Sequence, residues 1–104
     1  MMKPLRTQKE VLEEWAGELS VHLGRPVAEL LQRGLSAYDF GLDQTVEVRG
    51  PDGMRFVLPF AFALIRKASG EVAVFTEHSG YVEFLLEEEA TVTRITEDVY
   101  YHAP

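Results

Sequence analysis

The chain has 104 residues, 46% of them hydrophobic and 26% charged, which is the size and composition of one folded domain rather than a disordered segment. It has no cysteine, so disulfides, thiolate catalysis and cysteine-based zinc sites are excluded together. The formal charge of −7 opposes phosphate backbones, which excludes nucleic acid as an electrostatically driven partner and favours a basic protein.

In chain order, Thr7-Gln8-Lys9-Glu10 has the spacing of a capping box. Val11, Leu12, Trp15, Ala16, Leu19 and Leu23 then recur at three- and four-residue steps, which predicts an amphipathic helix over about 8–23 with Trp15 in the core. Gly24 supplies a left-handed stop and Pro26 blocks continuation. Pro26 suits the start of a second helix over about 26–35, with Val27, Leu30, Leu31 and Leu35 as its apolar side and Glu29 and Arg33 as an i,i+4 pair. Residues 36–43 read as a connector whose aromatics, Tyr38 and Phe40, pack under a sheet.

From Thr45 the period changes to two, and strands are expected at about 45–49, 54–65, 72–78, 81–86 and 91–101. Gly50-Pro51-Asp52-Gly53 is a tight turn, and Pro59 marks an edge, bulge or break inside 54–65 because it cannot donate to a ladder. The expected fold is α+β, with two N-terminal helices packed on a four- to five-stranded antiparallel meander.

The chemistry-bearing side chains crowd at the Ser79-Gly80 hairpin tip. A two-residue loop there would place His78 opposite Tyr81 and Phe75 opposite Phe84, gathering Thr76, His78, Tyr81 and Glu83 on one face with Glu77 at the rim of the other. A three-residue loop with left-handed Gly80 would slip the pairing and exchange the faces of one strand. In the first register His78 could act as acid/base with Glu77 or Glu83 and Tyr81; the ordinary reading is a turn histidine that caps carbonyls, since one hairpin supplies no water-excluding pocket.

Other constellations are thinner. Glu18 and His22 are i,i+4 on the first helix, but two ligands do not make a metal site, and Asp39 and Asp43 lack calcium-loop spacing. His102 lies in the C-terminal tail. No metal or cofactor is expected. The longest apolar run, 56–65, is interrupted by Pro59 and falls short of the roughly 20 residues that span a bilayer, and the first residues lack the pattern of a signal peptide, so a cytoplasmic protein without membrane contact is expected. Absent asparagine and seven arginines against three lysines suit a thermophile or a GC-rich genome.

These features favour a non-enzymatic interaction domain with a protein partner. A sharper form is a bacterial antitoxin- or immunity-type inhibitor covering a basic enzyme, with Glu83, Glu87, Glu88 and Glu89 as the contacting acids. Tyr100 and Tyr101 would serve a homodimer contact. The alternative is a small enzyme or ligand-binding domain built on His78.

Overall fold

The Thr7 hydroxyl accepts from the Glu10 amide at 3.2 Å, and the Glu10 carboxylate accepts from the Thr7 amide at 3.2 Å. This closed capping box starts α1, Gln8–Leu23, and left-handed Gly24 (φ 67°) ends it. Val11, Leu12, Trp15, Ala16 and Leu19 are buried along one stripe, as their spacing requires. The second helix, α2, runs Val27–Arg33 after Pro26. The computed structural model describes residues 2–40, 44–51, 53–78, 80–86 and 91–96, with Val92 the one side chain described in the last stretch.

The first helix has the expected bounds, while the second is shorter than the expected 26–35 because Gly34, left-handed at φ 72°, ends it. Leu30 is buried while Val27 and Leu31 turn outward, because so short a helix offers the core a single residue per turn. Glu29 pairs with Arg25 rather than closing a pair with Arg33. The connector forms a short 3-10 turn, Ala37–Asp39, that buries Phe40 and leaves Tyr38 97% exposed. One of the two aromatics therefore packs under the sheet, not both.

Among the described residues six antiparallel strands follow: β1 Gln44–Arg49, β2 Arg55–Pro59, β3 Ala61–Arg66, β4 Glu71–Thr76, β5 Gly80–Leu85 and β6 Thr91–Thr96. They form two three-stranded sheets, ordered β2-β1-β6 and β3-β4-β5. The fold is α+β, and the single meander resolves into two layers. The division falls at Pro59-Phe60, where Phe60 takes φ 50° and turns the chain from one sheet into the other. The last strand does not extend the meander beside β5; it returns to pair with β1, Thr45 opposite Ile95.

The β3-β4-β5 sheet is the middle layer. Phe62, Ala73 and Phe75 on one face pack with Val11, Leu12, Trp15, Leu19, Leu30 and Phe40 from the helical layer. Ala61, Ala63, Val72, Val74, Val82 and Phe84 on the other face pack against Val46 and Val48 of β1, with Phe56, Leu58 and Val92 at the margin. Burial on both faces accounts for the unbroken apolar run Val72–Phe75 in β4.

The hairpin register is not the two-residue one. Thr76 pairs with Gly80, Phe75 with Tyr81 and Ala73 with Glu83, so residues 77–79 form the connection. Gly80 is left-handed (φ 77°), and the Thr76 hydroxyl accepts from the His78 amide at 3.1 Å, which curls the tip and takes His78 out of the ladder. Phe75 faces a residue three positions before Phe84. An odd slip exchanges the faces of β5 relative to β4, and so Tyr81 and Glu83 come to the helix-covered face.

Candidate functional site

The slipped register disperses the expected polar patch. His78 is exposed in the turn, with its ring edge-on to Phe60 at 5.3 Å. Glu77 is exposed beside it, its amide donating to the Phe60 carbonyl at 3.2 Å. Thr76 is buried on the face toward the second sheet. Tyr81 lies on the opposite face, edge-on to Phe75 at 5.1 Å. Burial, and then the negative charge of Asp39, push the Tyr81 hydroxyl upward, which makes it a poorer proton donor. The structure therefore does not gather His78, Tyr81 and a carboxylate around one centre.

Glu83 is the residue whose position the sequence most misrepresents. A glutamate in a strand reads as a surface acid, yet this one is only 4% exposed. Its carboxylate is met by a two-pronged guanidinium: Arg6 Nε donates to Oε1 and Arg6 Nη2 to Oε2, both at 2.8 Å. The Trp15 indole Nε1 donates to Oε2 at 3.0 Å. Burial raises the carboxyl's affinity for a proton, but Arg6 and then Trp15 outweigh burial and hold it below the usual carboxylate range. Glu83 is thus an internal anchor met by the chain's own arginine rather than an acid standing in open solvent.

The anchor ties the N-terminal segment to the sheet edge. The Lys3 amide donates to the Glu83 carbonyl at 2.8 Å, Met2 bridges Phe84, and Lys3 Nζ lies 3.5 Å from Glu71. On the other side of the indole, Arg66 sits 3.9 Å from the ring centroid, a cation–π contact. Arg66 also donates to Glu14 Oε2 at 3.2 Å, to the Glu14 carbonyl at 3.0 Å and to Glu18. These carboxylates raise the Arg66 pKa, and Arg66 in turn lowers that of Glu18.

A second buried carboxylate, Glu47, is 4% exposed in the centre of its sheet. It accepts from Arg49 and from Arg55, the latter through Nε at 3.0 Å and Nη2 at 2.8 Å. The Arg55 hydrogen bond is the largest influence holding its carboxyl low, ahead of opposing burial and of Arg49. Asp39 accepts from Arg25 at 2.9 and 3.0 Å and from the Ser36 amide at 2.7 Å. Glu18 and His22 form no metal pair, since Glu18 meets Arg66 and His22 stacks on Phe62 at 4.8 Å. Among the described residues no group of three or more acids and histidines could hold a metal ion. Asp43, Glu87, Glu88, Glu89, Tyr100, Tyr101 and His102 lie outside the described residues.

Sequence reasoning missed Arg6 as a partner for the core and missed the Glu47, Arg49 and Arg55 cluster. One signal was present for the first: a tryptophan at a core position needs an acceptor for its indole N–H. Among the described residues no buried side-chain polar atom lacks a hydrogen-bond partner, and no helix is long and apolar enough to cross a membrane. No family model matches the chain, and no curated protein or solved structure matches it.

Proposed function

We propose that the chain is a non-enzymatic interaction domain that takes a basic protein partner on its acidic surface. The observation that carries this reading is the disposition of the arginines. Arg6, Arg25, Arg49, Arg55 and Arg66 are each engaged by carboxylates of the same chain. With Lys3 beside Glu71 they make six of the chain's ten basic side chains, so internal pairing absorbs more than half of its positive charge. Exposed Glu13 and Glu77 help set the field that an incoming protein meets, and the sequence adds the charges of the run Glu87-Glu88-Glu89. Such a field speeds association with a cationic surface and repels a polyphosphate.

Acid/base chemistry at His78 loses its support with the register. Its ring meets Phe60 at the tip, Tyr81 packs on the helix side, and Glu83 is held by Arg6 and Trp15. An inhibitor or immunity-type role remains the sharper form of the interaction reading. The test is capture from an extract of the cell of origin at low and high salt. A basic protein retained at low salt and released at high salt supports the reading, and salt-independent capture of an acidic one overturns it.

A further inference from the structure

The carboxylate of Glu83 is built as a receptor and filled from outside. Its side chain is 3% exposed, set in the sheet under α1, while the Arg6 side chain that enters it is 34% exposed. Arg6 arrives on an outlying strap: Met2, Pro4, Leu5 and Arg6 are all exposed, with Leu5 at 71%. Apart from the guanidinium, the strap's hold on β5 among the described residues is one amide from Lys3 to the Glu83 carbonyl and one bridge from Met2 to Phe84. The receptor itself, Glu83 with the Trp15 indole N–H, belongs wholly to the packed layers. A buried carboxylate requires a cation, and two oxygens presented side by side select a guanidinium fork over an ammonium point charge.

We propose that Glu83 and Trp15 form an arginine-recognition site that the chain's own Arg6 occupies as a stand-in ligand, and that an arginine on an extended segment of the basic partner replaces it. The partner's segment lies antiparallel along β5 as Met2 and Lys3 do, with its arginine three residues beyond the one whose amide meets the Glu83 carbonyl, as Arg6 follows Lys3. Main-chain bonds to the sheet edge and one side chain in a specific receptor together make strand addition selective. This inference rests on the reading of the domain as a binder of basic partners, and narrows that partner to one bearing an arginine on an extended segment.

The chain's single tryptophan reports on the site directly. Full-length Arg6→Gln is titrated with methylguanidinium and with methylammonium, following Trp15 emission. The expected result is a saturable change with methylguanidinium, absent from the wild-type chain at the same concentrations, and at least about tenfold weaker with methylammonium, which lacks the second hydrogen bond. A response that is linear, or the same in variant and wild type, overturns the site. If Arg6→Gln is unfolded alone, methylguanidinium must restore its helical circular dichroism, and failure to do so also overturns it. A second titration uses a synthetic Met2–Gln8 peptide and its Arg6→Gln version. The arginine peptide should bind the variant at least about tenfold more tightly than methylguanidinium, from the added main-chain bonds. Equal affinity overturns the strand-borne partner and leaves a site for free guanidinium groups. None of these outcomes bears on the acidic-surface reading, which the salt-dependent capture judges separately.

Discussion

The Trp15 indole donates across 3.0 Å to the carboxylate of Glu83, joining the middle of α1 to the middle of β5 inside an otherwise apolar interface. Trp15 is fully buried and carries Arg66 on one ring face, while Glu83 carries the Arg6 fork across both of its oxygens. The helical layer is thereby fixed in register on the sheet by a directional contact that apolar packing alone does not supply.

The two ends of the Arg6–Glu83 pair should not be equivalent. Arg6→Gln strands a buried carboxylate, whereas Glu83→Gln leaves a guanidinium that is 34% exposed and reaches water. Arg6→Gln should therefore cost about 2–4 kcal/mol of unfolding free energy and Glu83→Gln about 1–2 kcal/mol. Urea denaturation of both variants checks the order; equal losses would mean that the carboxylate is better hydrated than its burial implies.

Acid should act on the same contact. Glu83 and Glu47, ordinarily near 4.5, are both held lower in the folded chain, so the unfolded chain binds more protons as pH falls. Their stabilisation is complete above that ordinary value and is lost as pH drops below it, through the folded value. Thermal midpoints should fall on acidification below pH about 4.5, and the fall should be shallower in Glu83→Gln. An unchanged slope in the variant would remove Glu83 from the account.

Two glycines separate backbone need from accident. Gly70 sits at φ 76°, and an added Cβ would meet the Leu86 carbonyl oxygen at 3.0 Å. Gly17 lies exposed inside α1, where an added Cβ meets nothing within 4 Å. Gly70→Ala should destabilise by about 1–2 kcal/mol or more, and Gly17→Ala should stabilise by about 0.5–1 kcal/mol. Denaturant midpoints on the two variants decide it.

His78→Ala should leave stability within about 0.5 kcal/mol of wild type, because the residue is exposed and its ring makes one edge contact with Phe60. Capture of the basic partner should also be unchanged. A specific loss of any turnover in this variant alone would return the hairpin tip to consideration as a reaction centre.

What could be read from the residues, and what could not, divides by the range of the interaction. The first helix was legible because its capping box, its stripe from Val11 to Leu23 and its Gly24 stop are all local. The break at Pro59 was legible for the same reason, but its consequence, a change of sheet at Phe60, was not, since it depends on what each half then packs against. Nothing in residues 91–96 says that their neighbour is β1 rather than β5. The hairpin register turned on whether Gly80 enters the left-handed region with three residues or two in the loop, and both satisfy a Ser-Gly signal. Glu83 followed the register: its burial was hidden by one loop residue's conformation. The unbroken Val72–Phe75 run did carry a hint, because a strand apolar on both faces requires a layer on each side.

The most direct test of the interaction domain is the salt dependence of its affinity for the captured partner. It should be measured on the wild-type chain and on a variant with Glu87, Glu88 and Glu89 all changed to Gln. An acidic-surface binder should show a basic partner, a dissociation constant that rises steeply with ionic strength, and a weaker dependence in the variant. A dissociation constant that is flat with salt, or identical in the two chains, would contradict the acidic-surface reading.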